Sequence, residues 1–399
     1  MRRLKITLAI LLIGTLLPSL QLVWWHRQAS ETFQKHDQEL ARIPDPQGLS
    51  VRRIPLYEPA LKGDSWESFQ PLLAPLMDLK YSWSQPFPTD QEHAQLAALF
   101  RPTFDGLRSA YSKEHLTLPK TLEERINAKA SFSRGLMTAS WILFHLSLAS
   151  RERHRHEEAL DLLILNLAVC SDLRQIPGYG KTPADWSLAE EQRALGSWRG
   201  YLKEFSLSPK TAASISGQLD RLLSARSSIH DSIAAQGIYL RRGILELEQD
   251  GHSGHPYGET PSWRHAYSAR LGRAKTLNQI EGVWKRLESL REIPSHQWSD
   301  ALKTISDHAG SEAVAHLDSV RSTYAQEVDC LRWWTSIRIA MALARFEIEQ
   351  RRAPASLAEL VPAYLQALPS CPQGGEPFSY LSGEFSCAHT GKWKVSLHQ

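Results

Sequence analysis

An uncharged apolar run from Ile6 to Trp25 constrains this chain more than any other feature. It has about the length that crosses a bilayer as a helix. Thr7, Gly14, Thr15, Pro18, Ser19 and Gln21 interrupt it, but no charge does. Arg2, Arg3 and Lys5 precede it, and Arg27 alone follows closely. The positive-inside rule then puts the N-terminus in the cytoplasm and the remaining chain across the membrane. Trp24 and Trp25 fall where an aromatic belt marks the far interface. A cleaved signal peptide is the competing reading. It needs a shorter apolar core and a small-x-small cleavage site, for which Pro18-Ser19-Leu20 is a poor candidate. No lipobox cysteine follows the run. Both readings export the body. The expectation is therefore an inner-membrane, single-pass anchor over residues 1–30, with a periplasmic body.

Export changes the meaning of the four cysteines, Cys170, Cys330, Cys371 and Cys387. An oxidising compartment permits disulfides. Cys371 and Cys387 flank one compact segment and are the expected pair. Cys170 and Cys330 lie in strongly apolar helical stretches. Buried free thiols are expected there, with an inter-helix bridge as the alternative.

The body reads as mainly α. With 42% hydrophobic and 22% charged residues, the 399-residue chain can bury a sizeable core. Residues 31–90 read as a polar stalk followed by a proline-dense segment (Pro44, Pro46, Pro55, Pro59, Pro71, Pro75, Pro86, Pro88) that excludes long helices. Trp66, Phe69, Leu72, Leu73, Leu76 and Met77 carry too much apolar surface for a free linker, so this segment is expected to dock. Thr89-Asp90 can cap a helix through Phe100, which Pro102 is expected to end. Thr121 with Glu124 is a capping-box pattern. Apolar runs at 122–149 and 157–173, separated by a polar break, predict an αα-hairpin. Helical patterns follow at 187–205, 209–226, 228–250, 275–291 and 295–308. They have no fixed period, so the body over 91–352 is a bundle or an irregular repeat rather than a regular array. From Ser311 to Arg351 there is no Gly or Pro. Leu317, Val320, Tyr324, Val328, Leu331, Trp334, Met341, Leu343 and Ile348 recur there at threes and fours. Such a helix is about 60 Å long.

The C-terminal segment, 353–399, carries a recognisable signature. Ser356-Leu357, Leu360-Val361-Pro362, Tyr364-Leu365, Leu368-Pro369, Cys371-Pro372, Gly374-Gly375, Tyr380 and Cys387-Ala388-His389 stand in order. This resembles the region after the long helix in type II secretion pseudopilins and related type IV pilin-like proteins. There a "G-x-x-P-x-S-L-x-x-L-V-P-x-Y-L" stretch leads to C-P-x-G-G-x-Y and a later C-x-x-H-G. The tail is also similar to the end of uncharacterised bacterial envelope proteins with a single N-terminal anchor and a helical body. Two departures are an extra residue before the aromatic and Thr390 ahead of Gly391. At the other end the pilin pattern fails. Gly14 is followed by Thr15, Ser19 stands where a prepilin has Glu, and no carboxylate lies in the apolar run. The resemblance thus implies a shared folding unit rather than a polymerising pilin. That unit is a short helix, a proline turn and a β-hairpin, with strands over Phe378–Leu381 and Glu384–Ala388 and a possible third over Trp393–Leu397. A Cys371–Cys387 disulfide closing about 16 residues contributes roughly 3 kcal/mol in the chain-entropy model. Zinc held by Cys371, Cys387 and His389 is the alternative. It lacks a paired C-x-x-C and a fourth ligand in the sequence.

Other motifs carry less. Gly178-Tyr179-Gly180-Lys181-Thr182 imitates the end of a P-loop but lacks its leading glycine and strand. His154 and His156 read as a solvated turn. Asp250, His252 and His255 sit in a Gly-rich loop as weak metal candidates, with a flexible polar loop as the plainer reading. No cofactor motif is present, and H-E-x-x-H and G-x-S-x-G are absent. Net charge is +3, and Arg and Lys interleave with Asp and Glu, so nucleic acid is not an expected partner. The expected role is a non-enzymatic scaffold or protein-interaction part in the envelope. The alternative is a hydrolase of a polymer such as peptidoglycan, using carboxylates in a groove lined by some of the thirteen tryptophans.

Overall fold

The computed structural model describes residues 2–42, 50–52, 56–57, 61–64, 76, 90–117, 122–175, 183–204, 207–226, 228–249, 263–307, 309 and 311–394. Among these it is mainly helical, with ten α-helices: α1 (Arg2–Arg42), α2 (Asp90–Tyr111), α3 (Leu122–Glu152), α4 (His156–Gln175), α5 (Pro183–Glu204), α6 (Pro209–Ala225), α7 (Ile229–Gln249), α8 (Trp263–Glu288), α9 (Trp298–Asp307) and α10 (Ser311–Gln350). Six short strands accompany them: β1 (Ser50–Arg52), β2 (Leu61–Asp64), β3 (Lys113–Thr117), β4 (Ser379–Leu381), β5 (Glu384–Ser386) and β6 (Trp393–Lys394).

The chain divides into two compact units. One holds residues 1–45, 233–291 and 302–319; the other holds 46–232, 292–301 and 320–399.

In the first unit, α1 packs on α8. Residues 31–40 are helical, as the stalk reading requires, but they are not a bare stalk. Ala29, Phe33, His36 and Leu40 recur at threes and fours on one buried face. Ala29, Phe33 and Leu40 pack with Leu245, Ala274 and Leu277. Glu281 takes Lys35 at 2.9 Å and also Lys285, and Arg241 reaches Glu39 at 2.8 Å. Gly237 of α7 lies under the indole of Trp284, which donates to the Ile233 carbonyl at 2.7 Å. A Cβ on Gly237 would sit 1.9 Å from Trp284 Nε1. Gly237→Ala is therefore expected to lower stability by about 1–3 kcal/mol through overpacking. The helix-propensity gain of about 1 kcal/mol opposes this, and urea unfolding measures the net loss.

In the second unit, α3 and α4 form the expected αα-hairpin. Asn166 stitches it: its Nδ2 donates to the Ser140 carbonyl at 2.8 Å, and its Oδ1 accepts from Cys170 Sγ at 3.2 Å. Cys330 Sγ bonds the Leu188 carbonyl instead, at 3.5 Å. Both thiols are free and buried. At α6, Ser208 caps the Thr211 N–H and Pro209 follows at the first turn. The helix read as ending at Pro102 instead runs on to Tyr111. Pro102 removes a hydrogen bond, but Phe104, Leu107, Ala110 and Tyr111 beyond it are buried and hold the second half in place.

A small sheet that the proline-dense segment did not advertise joins β1 antiparallel and β2 parallel to a central β3. Leu56 and Leu76 are buried beside it in sequence, consistent with docking. Trp66, Phe69, Leu72, Leu73 and Met77 lie outside the described residues, as do the Thr121 cap and the 178–182 glycines.

Among the described residues no helix is long and apolar enough to cross a membrane. The side chains of residues 2–20, which hold most of the Ile6–Trp25 run, lie outside them.

After α10 the chain forms a cap. A 3-10 turn over Leu357–Leu360 buries Leu357 and Leu360. Then β4, β5 and β6 pair antiparallel in order. Ser382 and Gly383 take φ of 52° and 82°, as the type I′ hairpin turn between β4 and β5 requires.

Candidate functional site

Three clusters of chemistry-bearing side chains stand out among the described residues.

The first lies inside the second unit and is wholly buried. Arg174 closes α4, Glu191 comes from α5, Arg226 follows α6 and Glu327 projects from α10. Arg174 bonds Glu191 at 2.9 Å and Glu327 at 2.6 Å. Arg226 bonds the same carboxylates at 2.7 and 2.5 Å. Trp334 Nε1 donates to Glu191 at 2.6 Å. The two positive and two negative charges balance. Burial raises the Glu191 carboxyl, but Arg226 and Arg174 outweigh it and bring it down to about 2 from 4.5. Its contribution to stability is thus present above about pH 4.5 and is lost as pH falls toward about 2. Acid titration of a Glu191→Gln variant is expected to lose the part of this transition that belongs to Glu191. The arrangement has no open face and no mismatched carboxylate pair, so it is a structural lock rather than a reaction centre.

The second is an open groove of about 740 Å³ between α2, α3 and α4. Asp105, Glu157, Glu158 and Asp161 line it, with Arg101, Arg108, Arg153 and Arg155. Asp161 takes Arg108 Nε at 2.8 Å and the Tyr57 hydroxyl at 3.0 Å. Asp105 also takes Arg108, at 2.8 Å, and Glu158 faces Arg155 at 3.5 Å. None of its lining residues is a tryptophan. The described tryptophans go mainly inward instead: Trp141, Trp198, Trp298, Trp334 and Trp393 are buried.

The third is in the cap, where the sequence pointed to Cys371, Cys387 and His389. The fold brings them together. Cys387 Sγ lies 3.0 Å from Cys371 Sγ, and His389 Nδ1 lies 3.7 Å from Cys371 Sγ. Both sulfurs are present as free thiols. A fourth donor joins them: Glu376 Oε1 is 3.2 Å from His389 Nδ1. All four ligand atoms lie within 4.8 Å of one another. Sequence reading missed Glu376, although a carboxylate five residues after Cys371 in a glycine turn was the signal available. Burial, and then Cys387, push the Cys371 thiol up to about 11. The backbone N–H groups of Gly374 and Gln373 pull the other way.

A further group, His36, Glu39 and Glu281 in the first unit, also has ligand atoms within 4.8 Å. Lys35, Lys285 and Arg241 already neutralise its carboxylates. Burial lowers the His36 imidazole from its ordinary value, and His36 bonds Asn278 at 3.2 Å. It is an ion-pair network. Asp250, His252 and His255 lie outside the described residues. His154 sits at an exposed turn with φ of 59°, and His156, half-buried, opens α4.

No protein-family model matches the chain, and neither a curated protein nor a solved structure shows significant similarity to it.

Proposed function

We propose that this chain is a single-pass, membrane-anchored protein of the bacterial-type envelope, with its helical body outside the cytoplasm in a scaffold or protein-interaction role. The observation that carries this is the uncharged Ile6–Trp25 run behind Arg2, Arg3 and Lys5, which opens a helix continuing unbroken to Arg42. Val23, Trp24 and Trp25 stay 67%, 55% and 37% exposed at its far end. Such apolar side chains suit a lipid interface. The same helix then buries Ala29, Phe33 and Leu40 in the first unit's core, so the proposed anchor and this core share one continuous helix. The sequence pattern from Ser356 to His389, which resembles the tail of pilin-like proteins, supports this reading.

The hydrolase alternative has one observation in its favour, the carboxylates of the 740 Å³ groove. Arg108 and Arg155 hold three of them, and Thr211 donates to the fourth, Glu157, at 2.8 Å. All four carboxylates are thus engaged by partners in the fold rather than left facing one another across the groove.

Photo-crosslinking from body positions of the full-length chain in intact cells tests the proposal. Discrete adducts with envelope proteins, lost when residues 2–25 are deleted, are expected. Absence of adducts, together with peptidoglycan cleavage that Asp161→Asn abolishes, would replace the scaffold reading with the hydrolase.

A further inference from the structure

We propose that Cys371, Cys387, His389 and Glu376 form a closed zinc site that staples the C-terminal cap, in place of a disulfide between the two cysteines. This inference stands apart from the anchor and needs no assumption about compartment.

The donor set selects the metal. Two sulfurs, one imidazole nitrogen and one carboxylate oxygen suit tetrahedral zinc. Calcium and magnesium take oxygen donors, and iron–sulfur clusters take cysteine on nearly every position. The spacing is close to that of a coordination sphere. Tetrahedral zinc with ordinary bond lengths sets its donors about 3.8 Å apart for two sulfurs, about 3.6 Å for sulfur and nitrogen, and about 3.3 Å for nitrogen and oxygen. The matching separations here are 3.0, 3.7 and 3.2 Å. Of these three pairs only the sulfurs have to part, by less than an ångström, and all four donor atoms lie within 4.8 Å of one another.

The backbone around the cluster is shaped for it. Gly374 has no room for a side chain: a Cβ there would lie 1.8 Å from Glu376 Oε2 and 2.8 Å from His389 Cε1. The missing methyl is what lets these two donors meet. Gly375, at φ +76°, turns the chain back. Its N–H then reaches the Cys371 carbonyl at 2.7 Å, and the Cys371 N–H reaches the Glu376 carbonyl at 2.8 Å.

Binding releases both thiol protons to solvent. Two thiolates and a carboxylate leave one excess negative charge over Zn(II). Arg332 of α10 stands next to it, donating to the His389 carbonyl at 2.6 Å and to Gln373 Oε1 at 3.2 Å. It ties both ligand loops to α10, as partners of metal ligands commonly do, while its other nitrogen pairs with Asp329 at 3.0 Å.

The test uses the full-length chain purified without chelators. The expected result is about one zinc per chain, with all four cysteines titrating as free thiols on denaturation. Cobalt(II) replacing the zinc should give a thiolate-to-cobalt charge-transfer band and tetrahedral d–d bands. Glu376→Gln keeps both cysteines and the cap's volume. It should keep the charge-transfer band, shift the d–d bands and weaken zinc retention by more than the about 10–100-fold typical of groups outside the coordination sphere. Three results overturn the site. One is metal-free protein with Cys371 and Cys387 joined. Another is reduced protein that takes up neither zinc nor cobalt. The third is metal binding that Glu376→Gln and His389→Gln both leave unchanged.

Discussion

Glu327→Gln is expected to destabilise the helical body by about 3–5 kcal/mol, the range for removing one partner of a buried ion pair. The side chain is 4% exposed and bonds Arg174 and Arg226 together. Guanidinium cannot shed its proton in a protein. The variant thus keeps two buried positive charges against the single carboxylate of Glu191. Burial and volume are almost unchanged, so nearly all of the loss is electrostatic. A companion variant separates this from simple packing. Replacing Arg174, Glu191, Arg226 and Glu327 together by apolar residues of similar size removes every charge at once. It should cost less than Glu327→Gln alone, because no charge is left unpaired. Chemical unfolding of the full chain reads both. A single change costing under about 1 kcal/mol, the figure for exposed pairs, would contradict the buried-lock reading.

Trp393→Ala is the second large effect. Trp393 is 2% exposed. Its ring meets Phe385 at 5.8 Å and Trp333 of α10 at 5.5 Å, and Arg199 of α5 lies 5.7 Å over it. Truncation removes these contacts and leaves a cavity, at about 3–5 kcal/mol for a buried Trp. A three-stranded sheet this short has little stability of its own, so the loss should appear as local release of the cap. Hydrogen exchange is expected to rise across 357–394 while α3, α4 and α5 keep their protection. Uniform loss of protection through α3 and α4 would show instead that cap and body unfold as one.

Much of the helical body was legible because its helices announce themselves at both ends. α6 opens at Pro209, where the helical pattern over 209–226 placed it, and the absence of Gly and Pro from 311 to 350 leaves α10 uninterrupted. The cap hairpin was legible from the strand runs over Phe378–Leu381 and Glu384–Ala388. Pro102 misled because a proline cost of a few kcal/mol is local, whereas the burial of Phe104, Leu107 and Tyr111 depends on partners far away in sequence. The sheet around β3 was hidden for a similar reason. The Lys113–Thr117 sequence is polar, and its partners come from a proline-dense segment. Glu327 left a trace that sequence reading passed over. It falls three residues after Tyr324 and seven before Trp334, on the apolar stripe of α10. A charge on such a stripe demands a buried partner, but the pattern does not say that Arg174 and Arg226 supply it. Glu376 was harder still, since only the Gly374-Gly375 turn brings it to His389.

The anchor is tested most directly by fusing reporters after Gln399 of the full-length chain. Alkaline phosphatase, active only outside the cytoplasm, is expected to be active, and a reporter that works only in the cytosol is expected to be silent. The reverse pattern would place the body inside the cell and contradict its envelope role.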